Sequence, residues 1–90
     1  MRRIKLSGRE RSVLKAVGFA DAIPGEQIRE HTQIPPEDLT DVLNALLAAG
    51  FIESQPYREQ ITSAELSTTE FEVNPSYVHE LKSTMQRAWA

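Results

Sequence analysis

A mainly α domain with a small antiparallel β wing is what this 90-residue sequence predicts. Three observations carry that expectation. A leucine-rich helical stripe begins at a proline and stops at Gly50, two short β-type runs follow it, and capped helix starts stand near both ends.

Ser7-Gly8-Arg9-Glu10 has the spacing of a capping box, in which the serine hydroxyl accepts the amide proton three residues on and the glutamate reaches back. A first helix is expected over Gly8 to Ala20, with Val13, Leu14, Val17 and Ala20 on its buried stripe. Asp21 to Gly25 breaks it, and Ile23 is placed to form a one-residue β bridge. A second helix spans roughly Gly25 to Thr32 with Ile28 inward. Gln33-Ile34-Pro35-Pro36 is the turn, where Ile34 pins the crossing of two helices.

The third helix runs from Pro36 to Ala49. Proline is favourable at the first helical position because its missing N–H would be unpaired there. Leu39, Val42, Leu43, Leu46 and Leu47 share one face, and Gly50 is the stop. Glu37 and Asp38 complement the positive end of the helix dipole. Phe51 to Gln55 reads as a strand closed by Pro56, and Thr68 to Val73 as another, with Phe71 and Val73 alternating with Glu70 and Glu72. Between them Tyr57 to Ser67 forms a long connection with a short helical turn over Thr62 to Leu66. Asn74-Pro75 opens a fourth helix to Ala88, striped by Val78, Leu81, Met85 and then Ala88 or Trp89.

This order resembles a winged helix-turn-helix of the kind common in bacterial transcriptional regulators. The resemblance covers about Ser7 to Val73, and its most specific part is Leu39 to Ile52, a leucine-rich helix, a Gly stop and an apolar strand start. It implies one domain over residues 1–90: a basic arm over 1–7, a winged-helix core over 8–73 and a C-terminal helix over 74–90. It also implies that Thr40, Asp41, Asn44, Ala45 and Ala48 face DNA and that the Tyr57 to Ser67 segment is the wing. The family often dimerises through a terminal helix. Val78, Leu81, Met85 and Trp89 are the corresponding candidates for a homodimer interface, the alternative being that this helix folds back onto its own core.

The chain carries a formal charge of −3, unevenly spread. Residues 1 to 18 hold Arg2, Arg3, Lys5, Arg9, Arg11 and Lys15 against Glu10 alone, a local +5, so the rest carries −8. Arg2, Arg3, Lys5, Arg9 and Arg11, with Arg58 in the wing and Thr40 and Asn44 on the third helix, are the candidate contacts to double-stranded DNA. Asn44 suits adenine, whereas no Arg or Lys stands on that helix to read guanine.

Other chemistries find little support. There is no Cys, and His31 and His79 lie alone, so no metal or cofactor is expected. The four glycines form no phosphate-cradling loop, and no base-and-orienter pattern marks a nucleophile, so an enzyme is not expected. No apolar run approaches the roughly 20 residues of a membrane span. None follows the basic Met1 to Lys5 start as a secretory signal requires, so a cytoplasmic location is expected. The expected function is a small DNA-binding transcriptional regulator, and the alternative is a winged-helix module that contacts proteins and binds no nucleic acid. Fold analogy favours the first and electrostatics the second.

Overall fold

The computed structural model describes residues 5–87, with the side chain of Arg87 excepted. The capping box opens α1 (Gly8–Val17): Ser7 Oγ accepts the Glu10 amide at 3.2 Å, and Glu10 Oε1 accepts the Ser7 amide at 2.8 Å. Val13, Leu14 and Val17 are buried, as their spacing predicts. The helix ends about a turn before the expected Ala20. Gly18 adopts φ +73° there, a conformation glycine takes without Cβ strain, and its N–H closes on the Leu14 carbonyl.

Strand β1 (Ile23–Pro24) leads into α2 (Gly25–Thr32), whose Ile28 is fully buried. Gln33 turns the chain in the left-handed region and Ile34 is buried at the crossing. Helix α3 (Pro36–Ala49) begins and ends where the sequence predicts, with Gly50 at φ +82° and its N–H on the Leu46 and Leu47 carbonyls. Leu39, Leu43 and Leu46 are fully buried, while Val42 and Leu47 lie at the margin of the core.

Strand β2 (Ile52–Gln55) and strand β3 (Glu70–Val73) pair antiparallel, and β1 adds to the other side of β3, giving a three-stranded sheet in the order β1-β3-β2. The register sets Ile52 opposite Val73 and Ser54 opposite Phe71 on the inner face, and Ile23 opposite Phe71. A 3-10 helix, Ser63–Thr68, occupies the connection. It is longer than the turn expected at Thr62 to Leu66 and is held by its own capping box, Thr62 with Glu65. Its Leu66 packs directly on the start of α2. A Cβ on Gly25 would lie 2.6 Å from the Leu66 carbonyl oxygen, so only glycine permits that approach.

Asn74 then starts a 3-10 turn, Pro75–Tyr77, that runs into α4 (Val78–Arg87). Its side-chain oxygen caps the Ser76 amide at 3.0 Å, its amide nitrogen donates to the Gly50 carbonyl at 2.9 Å, and Tyr77 meets Phe51 edge to face at 5.1 Å. Leu81 and Met85 are buried in the chain's own core. This is the fold-back arrangement for these two residues, and Val78 is half-buried against the same core. Trp89 and Ala88 lie outside the described residues. The architecture is thus mainly helical with a small antiparallel sheet and a C-terminal helix. No helix among the described residues is long and apolar enough to cross a membrane.

Candidate macromolecular interface

The surface that the sequence assigned to a partner is built from α3, the segment after β2, and the chain before α1. On α3, residues Glu37, Asp41, Ala45 and Ala48 recur at helical spacing, and all four are exposed. Two carboxylates and two methyls make that stripe, with no cation.

The two polar residues expected to touch bases are used by the fold. Thr40 is 7% exposed, and its hydroxyl donates to the Pro36 carbonyl at 2.7 Å, the back-bond typical of a helical threonine. Asn44 bridges to the buried Ile61, seventeen positions on: its Oδ1 accepts the Ile61 amide at 2.8 Å and its Nδ2 donates to the Ile61 carbonyl at 3.0 Å. That pair replaces strand hydrogen bonds for a backbone segment outside any regular element. Presenting the Asn44 amide to an adenine edge would break both bonds.

The expected cations are similarly placed. Arg9 pairs with Asp38 of α3 at 3.3 Å across an exposed gap, and Arg11 donates to the Leu6 carbonyl at 3.1 Å. Arg58 forms a salt bridge with Glu65, and its Nε is buried without a hydrogen-bond partner, so this guanidinium is engaged within the chain. Lys5 is exposed. Arg2 and Arg3 lie outside the described residues. The Glu65 carboxyl is held below its ordinary value of 4.5, first because it accepts the Thr62 amide and then because of the adjacent Arg58 charge, with burial opposing both. Glu65 thus ties the cap of the 3-10 helix to the Arg58 guanidinium.

Acidity extends to the sheet. The alternation of burial in β2 and β3 turns Glu53, Gln55, Glu70 and Glu72 away from the core, and the register sets Glu53 directly opposite Glu72. Like charges so paired repel. Gln55 Nε2 lies 3.3 Å from Glu72 Oε1, but among the described residues Glu53 and Glu70 have no ion-pair partner. Beside β2, a groove of about 520 Å³ opens between the C-terminal half of α3 and the segment after the strand, bordered by Leu47, Ala48, Ile52, Glu53, Tyr57 and Glu59. Tyr57 is 78% exposed, the one large hydrophobic side chain so exposed among the described residues.

The sequence contained part of this surface. Alternation placed Glu70 and Glu72 on one side of their strand, whereas their meeting with Glu53 depends on register, which no local pattern fixes. Among the described residues no group of three or more His, Cys, Asp or Glu is arranged to hold a metal ion, and His31 and His79 are both exposed and far apart in sequence. No protein-family model matches the chain, and comparison with curated proteins and with solved structures yields no match.

Proposed function

We propose that the chain is a winged-helix module that works by contacting another protein, with α3 and the neighbouring wing as its docking surface. One observation carries this reading. The side chains that a DNA-reading domain of this kind would present, Thr40, Asn44 and Arg58, are engaged inside the chain, and the exposed stripe of α3 offers Glu37, Asp41, Ala45 and Ala48. Bringing that stripe to a duplex would set two carboxylates against phosphates with no compensating cation on the helix, which opposes association at any sequence. The same stripe, small and acidic, is open to a protein surface bearing lysine or arginine.

A second reading, a small dimeric regulator bound to double-stranded DNA, keeps one observation in its favour: the cluster of cations before and within α1, of which Lys5 is exposed and Arg11 retains donors beyond its single bond to Leu6. The two are separated by titrating random-sequence duplex at low ionic strength and following mobility shift or anisotropy. The protein-contact reading expects no binding. Saturable binding that weakens steeply with salt, and that disappears when Met1 to Lys5 are deleted, would replace it with the regulator.

A further inference from the structure

We infer that the groove between α3 and the free edge of β2 takes an extended, lysine- or arginine-bearing segment of a partner protein, an inference that rests on the protein-contact reading above. Strand β2 is the sheet's edge, paired with β3 on one side only, so an incoming extended segment meets backbone groups able to continue the ladder. The groove beside it is walled by Leu47, Ala48 and Ile52 and flanked by the exposed ring of Tyr57. Its volume of about 520 Å³ admits one or two apolar side chains of such a segment.

Charge selects the occupant. Glu53 and Glu59 border the groove, and neither has an ion-pair partner among the described residues. Arg58 also lines the groove, and its charge is paired with Glu65. Glu53 also faces Glu72 across the ladder, a like-charge pair that costs stability in the free chain and that a cation laid along β2 relieves. The repulsion is thus a standing preference for a basic partner. Alternate side chains of an extended segment point to opposite faces, so one set fills the apolar groove while the other carries cations to the carboxylates.

The probe is a fluorescein-labelled peptide of alternating lysine and valine, with its glutamate–valine counterpart as control, titrated with the full chain and read by anisotropy. Binding of the basic peptide alone is expected, weakening as salt is added. The double variant Glu53→Lys, Glu59→Lys should lower affinity by about tenfold or more, and Tyr57→Ser should lower it while leaving the salt dependence in place. Because Glu53→Lys also removes the repulsion with Glu72, that variant should melt no lower than the parent, so lost binding is not lost folding. Amide shifts on titration should centre on Ile52 to Gln55 and on the C-terminal half of α3. Equal binding of both peptides, unchanged affinity in the charge-reversed variant, shifts centred on α1, or sedimentation showing that a second copy already covers β2 would each overturn the assignment. Duplex titrated in parallel keeps the two failures apart: duplex binding overturns the protein-contact reading, whereas absence of both duplex and peptide binding overturns the groove alone.

Discussion

Replacing Asn44 by alanine tests whether this side chain serves the fold or a ligand. The change removes two hydrogen bonds, at 2.8 and 3.0 Å, that satisfy the amide and carbonyl of one buried residue, Ile61. A buried polar group left unpaired costs roughly 1–3 kcal/mol. Asn44 itself is only half-buried, so water reaches the vacated space and the loss for the two groups falls in the lower part of the range, about 2–4 kcal/mol together. Urea melts followed by far-ultraviolet circular dichroism read this directly, and for a chain of this size each kcal/mol lowers Tm by roughly 4–8 °C. Asn44→Asp sharpens the experiment, because a carboxylate still accepts the Ile61 N–H but no longer donates to the carbonyl. It should fall between the parent and the alanine variant near neutral pH. A loss below about 0.5 kcal/mol for Asn44→Ala, the level of an ordinary surface change, would refute the clamp and return Asn44 to the list of possible base readers.

Three further outcomes follow from the packing and the charges. Gly25→Ala drives a Cβ to within 2.6 Å of the Leu66 carbonyl oxygen, a backbone atom that cannot rotate away, and should destabilise by about 1–3 kcal/mol in the same melts. Thr69→Val replaces a buried hydroxyl that has no partner with a methyl of similar shape and should leave stability unchanged or raise it; a loss above about 1 kcal/mol would reveal a hydrogen bond at that hydroxyl. Glu65 has a folded-state pKa below its ordinary 4.5, so the stability its charge contributes is fully present above about that pH and is lost as pH falls through the lower folded value. Glu65→Gln should therefore melt earlier than the parent at neutral pH, with the gap closing in acid; a gap that widens as pH falls would reverse the sign of the argument.

How far the sequence carries can be judged from particular residues. Helix α3 was legible from end to end because its signals are local: Pro36 at the first turn, leucines at helical spacing, Gly50 at the stop. The capping box at Ser7 and the cap at Asn74 were legible for the same reason, and so was the bridge at Ile23. The end of α1 was misjudged because helical periodicity ran on past Gly18 while the backbone turned there. The roles of Asn44 and Gly25 lay beyond local reading, since one depends on a partner seventeen residues away and the other on a carbonyl brought to it by a distant 3-10 helix. The interface suffered most. Side chains that the resemblance turned toward a ligand have hydrogen-bonding partners within the chain: Thr40 in its own helix, and Asn44 on a segment that only the assembled chain brings near.

Asn74 joins three parts of the chain at one point: its backbone N–H bonds the Phe51 carbonyl, its side chain bonds the Gly50 carbonyl, and it caps the turn that begins α4. The Phe51 and Tyr77 rings close the same junction. These contacts fix the turn from which α4 departs, so the direction in which that helix leaves is set at the end of α3. A force or ligand that moves the turn before α4 is felt at Gly50, where α3 ends, and the C-terminal helix hangs from a latch whose keeper is the last turn of α3.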